Sequence, residues 1–238
     1  MINDSLKKKR LRLSFRNFER QRPLPLKPIL LEAIKLFGDD TIKEIKERVY
    51  DHITEYLDTQ GYPSESVGTF KEANVNDLVL FILSAIVYKV RSKTGRDISI
   101  IREKEIVSVD GETGGEEEFV LMDLVCVDGL EGDRYVLVAE SKRSSTGEAK
   151  RQCMLAMRDM WDHNTSGEVY GFVTTGEAWK MIKYDGASFI QTTELLALFN
   201  GMEEEKQEWI NRYSFVVECM LVALASGGRI VKDVVRMT

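Results

Sequence analysis

The sequence predicts an α/β protein, a mixed central sheet with helices on both faces. Three observations carry the prediction. Between residues 98 and 142 short apolar runs alternate with Asp-Gly and Gly-Asp turn signals, the pattern of a strand meander. Longer stretches with apolar residues at three- and four-residue steps precede and follow that region, as amphipathic helices do. A helical stretch then separates the third strand from a fourth, and such a crossover makes a sheet mixed and covers both of its faces.

Residues 1–28 read as a basic arm and linker. Nine Lys/Arg against Asp4 and Glu19 give this segment +7, which leaves −13 for the rest of a chain whose net charge is −6. Such an arm suits a polyanion, a nuclear import signal at Lys7-Lys8-Lys9-Arg10, or its own acidic body. Pro23, Pro25 and Pro28 favour extended chain. Residues 29–65 read as a helical extension. A short helix covers 29–37 and stops at Gly38; a second follows Asp40 or Thr41, with Ile42, Ile45, Val49, Ile53, Tyr56 and Leu57 as its stripe.

Residues 66–238 form the main domain. Helix is expected over 74–88, strands over 98–109, 118–127 and 135–142, helix over 148–162, strands over 170–174 and 179–184, and a last helix over 203–225. The 43% hydrophobic and 30% charged fractions are those of a globular chain. Cys126, Cys153 and Cys219 are odd in number and far apart, which reads as reduced thiols of an intracellular protein. With only His52 and His163 a zinc cluster is excluded. No apolar run approaches ~20 residues, so no membrane span is expected. Trp161, Trp179 and Trp209 read as core anchors, and His163 as a helix cap.

The chemistry concentrates in two strands. In DRYVLVAESK the apolar run Tyr135 to Ala139 ends in Glu140 and Lys142, and Asp123 interrupts Leu121, Met122, Leu124 and Val125 on the strand before. Charges at such places are expensive unless they have a task. Asp123 and Glu140 converging on a divalent metal would explain them.

An acidic residue on the second strand, Glu140-x-Lys142 at the end of the third and a helix next resemble the PD-(D/E)XK nuclease superfamily over roughly 74–174. Within it the chain looks most like the fungal and oomycete effector-type or transposon-linked branch, through YGFVTTGEAWKMIKYDG at residues 170–186. The resemblance implies a restriction-endonuclease-like αβββαβ core and metal-dependent hydrolysis of phosphodiester bonds, most readily in DNA. Asp123 and Glu140 would hold Mg²⁺ or Mn²⁺ with the Ser141 carbonyl, and Lys142 would be the catalytic lysine. Gln152 falls where a RecB-like subset carries a glutamine, although the tyrosine four residues later is Ala156 here. Lys150 and Arg151 would meet phosphates, and Glu72 or Asp77 would be the first-helix acid. The literal Pro-Asp is Met122-Asp123. A homodimer is compatible with this reading. So are two other classes: a nuclease-like module that binds nucleic acid or protein without catalysis, and a scaffold that docks through helices 29–60 and 203–225.

Overall fold

The computed structural model describes residues 22–63, 71–111, 114–127, 130–143, 146–164 and 167–227. The basic cluster Lys7 to Arg10 lies outside the described residues. Arg22–Pro23 (β1) pairs in parallel with a later strand, so the expected linker ends in the sheet. Three helices follow: α1 (Leu26–Phe37), α2 (Asp39–Gln60) and α3 (Glu72–Thr94). Helix α1 starts before Pro28, which is tolerated because first-turn N–H groups lack intrahelical partners anyway. Gly95 ends α3 in the left-handed conformation, its N–H reaching the Arg91 carbonyl.

Strands β2 (Asp97–Val107), β3 (Gly114–Val127) and β4 (Leu130–Ser141) form an antiparallel meander. Helix α4 (Thr146–Asn164) carries the chain back to β5 (Val169–Thr174), which is parallel to β4. Strands β6 (Ala178–Tyr184) and β7 (Phe189–Gln191) add antiparallel neighbours, and β8 (Leu195–Leu196) pairs with β6. The sheet order is β1-β7-β6-β5-β4-β3-β2, so the expected α/β class with a mixed sheet between helices is what the chain adopts. The small strands β1, β7 and β8 were not expected; they are too short to carry an alternation.

The expected last helix is broken. Met202–Glu204 forms a 3₁₀ turn, α5 (Lys206–Glu208) is a single turn, and Trp209–Tyr213 is π-helical before α6 (Phe215–Ser226). Trp209 is buried there and donates from Nε1 to the Ala197 carbonyl at 2.7 Å.

Two hydrophobic layers sandwich the sheet. On one face Ile45, Ile53, Leu78, Ile82 and Ile86 of α2 and α3, together with α6, pack on Ile98, Phe119, Leu121, Leu137 and Phe172. Helices α1 and α2 share this core with the sheet. Helix α3 is 23 residues long and, by length and composition, apolar enough to cross a membrane, contrary to the expectation that no run came near. Its apolar side is occupied here: Val75, Leu78, Val79, Ile82 and Leu83 are buried in this layer. A buried ion pair between Lys46 and Glu218 ties α2 to α6.

The other face is covered by α4, through Ala149, Cys153, Ala156 and Met157 on Val120, Val138, Val173 and Ile182. The fit is tight at Gly171, where a Cβ would stand 2.4 Å from Cys153 Sγ and 2.5 Å from Met157 Sδ. Trp179 and Trp209 are fully buried core anchors, as expected, whereas Trp161 is only partly buried against the α4 layer. His163 does not cap its own helix; its Nε2 lies 2.6 Å from the Val107 carbonyl and ties α4 to the end of β2.

Candidate active site

The hairpin of β3 and β4 decides which carboxylates meet. Its register starts at Val127 opposite Leu130 and brings Asp123 opposite Arg134. Glu140 lies six residues beyond Arg134, roughly 20 Å along the strand. Asp123 also faces the other layer, since its β2 partner Ile98 packs with α3. Asp123 therefore does not share a metal with Glu140. Its Oδ2 instead accepts from Arg96 Nε at 2.7 Å, and Arg96 turns its other nitrogens to the carbonyls of Leu224 and Gly227 at the end of α6. This buried pair closes the C-terminal end of a helix, where a cation complements the dipole.

Glu140 meets Glu117. The hairpin register does not settle this by itself: a bulge between Leu121 and Met122 skips Val136, Phe119 lies opposite Ala139, and the next step along each strand puts Glu118 across from Glu140 with Glu117 beside it. What turns Glu117 to the α4 face is a kink. Glu103 on β2 adopts φ 51°, and pairing passes from Arg102 opposite Phe119 to Lys104 opposite Glu117. Before the kink Ile98 and Ile100 face α3; after it Ile106, which strict alternation would place with them, faces α4. Glu117 turns with that segment. Both glutamates are 1% exposed.

Burial pushes Glu140 well above the ordinary glutamate range, the charge and proximity of Glu117 push the same way, Glu118 adds to it, and only Lys142 opposes. Both oxygens of Glu140 are buried with no hydrogen-bond donor, and so is Oε1 of Gln152. Buried carboxylate oxygens without donors, as at Glu140, suit a shared proton or a cation. Among the described residues no group of three or more His, Cys, Asp and Glu is assembled as a metal cage. Two carboxylates suffice for Mg²⁺ or Mn²⁺ where a substrate phosphate completes the shell, so the residues present fit such an ion.

Lys142 leaves the strand and turns to the rim. Its amide donates to the Thr174 carbonyl at 3.0 Å, and Nζ donates to Glu72 Oε1 at 2.7 Å and Glu118 Oε1 at 3.1 Å. Burial pulls the amine's pKa down, but the two carboxylates outweigh it and the net shift is upward. The Ser141 hydroxyl donates to Asn76 Oδ1, while Asn76 Nδ2 holds Glu118 Oε2 at 2.7 Å. The start of α3 is thus bound to the ends of β3 and β4. Of the two first-helix acids, Glu72 reaches the rim; Asp77 is turned to Arg102 at 3.7 Å instead.

On α4, successive residues turn by about 100°. Lys150 and Gln152 therefore flank the sheet-facing stripe of Ala149, Cys153 and Ala156 on opposite sides, and Arg151 falls on the outer side. Lys150 is pushed below the ordinary lysine value by burial and by the charge of Lys180 on β6. Gln152 consequently belongs to the flank nearer β4 and β3. Sequence reasoning misses Glu117, Glu118 and Lys180. Glu117 falls just before the strand expected over 118–127 and Glu118 at its first residue, and no alternation pattern announces the kink at Glu103. No protein-family model and no curated protein matches the chain.

Proposed function

We propose that the chain is a metal-dependent nuclease with a restriction-endonuclease-like core, hydrolysing phosphodiester bonds, DNA foremost. The observation that carries this is Glu140 buried against Glu117 without a donor, beside Lys142 at the rim. The order α3, β2, β3, β4, α4, β5 supports the fold. A buried acid pair kept without a task costs stability that an apolar pair would not.

In this reading Glu117 takes the place that the sequence pattern gives Asp123, and holds Mg²⁺ or Mn²⁺ with Glu140. When bound, the ion neutralises phosphate charge and lowers the pKa of a water. Lys142, fixed as an ammonium by Glu72 and Glu118, stabilises charge growing on the phosphate rather than abstracting a proton. Gln152 offers its amide to the water or to a phosphate oxygen. Lys150 adds positive charge beside the strand ends.

The test is cleavage of supercoiled plasmid and of single-stranded DNA in Mg²⁺ and in Mn²⁺. Wild type should cut, and Glu117→Gln, Glu140→Gln and Lys142→Ala should each lose at least about a hundredfold in rate, the scale of removing one electrostatic stabiliser. Cleavage that survives in all three variants, or is absent from wild type, contradicts the proposal.

A further inference from the structure

The row of residues that contains Glu140 continues across the sheet. Glu140 is in register with Val173 on β5, and Val173 with Lys180 on β6. Val173 packs under α4, and residues paired across strands share a face, so Lys180 lies on the α4 side as well. Two inter-strand steps put it roughly 10 Å from Glu140. Lys150 comes down to the same place from α4, close enough for each charge to act on the other. Among the described residues Lys180 has no carboxylate at ion-pair distance. Two cations held together where the sheet, the helix and the acid pair adjoin form a local positive spot on a chain of net charge −6.

We propose that Lys180, with Lys150, seats the phosphate next to the one at the Glu117–Glu140 pair, so that a nucleic-acid strand crosses the sheet from β4 toward β6. This rests on the nuclease reading and adds to it a direction and a positioning residue. Lys180 acts on the backbone and carries no base preference, because an ammonium on a phosphate reads charge alone. A lysine that merely solvates the surface would leave the salt dependence of binding unchanged.

The experiment measures fluorescence anisotropy of a labelled 12-nucleotide single-stranded DNA in EDTA, over a range of NaCl concentrations. Because Lys180→Ala neutralises one phosphate fewer, its slope of log K against log[salt] should be shallower than that of wild type by about 0.7. Lys180→Arg should keep the wild-type slope, and Lys180→Glu should weaken binding further than Lys180→Ala at low salt. Thermal melting of each variant checks that it is folded. Wild-type slope in both Lys180→Ala and Lys180→Glu overturns the seat while wild-type cleavage leaves the nuclease reading standing. If wild type neither binds the strand nor cuts it in Mn²⁺, both fail together.

Discussion

Glu140 is buried against Glu117, and an acid in that position is easier to keep neutral than charged. In metal-free protein its folded-state pKa lies above the ordinary value of 4.5, so between the two values the folded state binds more protons than the unfolded state. Stability from this group is full below 4.5 and is lost as pH climbs through the folded-state value. Glu140→Gln cannot ionise and escapes the loss. In EDTA its Tm should exceed that of wild type at pH 8, with the gap shrinking toward pH 4.5; a gap independent of pH would count against the assignment. Asp123 behaves otherwise, because its partner is Arg96 and its work is to hold that guanidinium on the last carbonyls of α6. Asp123→Ala strands a buried cation and should cost about 3 kcal/mol in urea unfolding. Its rate of DNA cleavage, measured well below the melting temperature, should stay within a few-fold of wild type.

At the scale of elements, the approach of α4 to the sheet fixes where Lys150 and Gln152 stand relative to β4. Gly171 sets that distance, since any Cβ there drives into Cys153 and Met157. Gly171→Ala should destabilise by about 1–3 kcal/mol in chemical unfolding, the cost of overpacking a tight core. Cleavage should fall too, because α4 moves with its side chains. The succession of helix, three strands, helix and two strands was legible in the sequence because each element carries its own period or turn signal. Glu140 and Lys142 were legible because they end a buried apolar run. Their partner was not. Asp123 drew attention by the same contrast of charge and apolar neighbours, which reports burial and not proximity. Proximity follows from register, and a bulge between Leu121 and Met122, which nothing in the sequence announces, shifts the register at the far end of this hairpin by one residue. The turn of Glu117 toward α4 depends in addition on a positive φ at Glu103, a residue type that seldom adopts one. The breadth of the sheet was hidden for a different reason: β1 and β8 are two residues long and exist only through their neighbours.

For the whole molecule, one sheet serves two layers with separate tasks. The layer of α1, α2, α3 and α6 is large and apolar, holds its charges as the closed pairs Lys46–Glu218 and Arg96–Asp123, and supplies stability. The layer of α4 is thinner, and at its margin lie the acid pair, Gln152, Lys150 and Lys180. Helix α3 links the two, reaching past the strand ends with Glu72 to hold Lys142. In the proposed site Glu117, and not Asp123, is the carboxylate that works with Glu140. Isothermal titration of Mn²⁺ into EDTA-stripped wild type, Glu117→Gln, Glu140→Gln and Asp123→Asn tests it most directly. One site is expected in wild type and in Asp123→Asn, lost in both glutamine variants. Binding that persists in Glu117→Gln and vanishes in Asp123→Asn would contradict it.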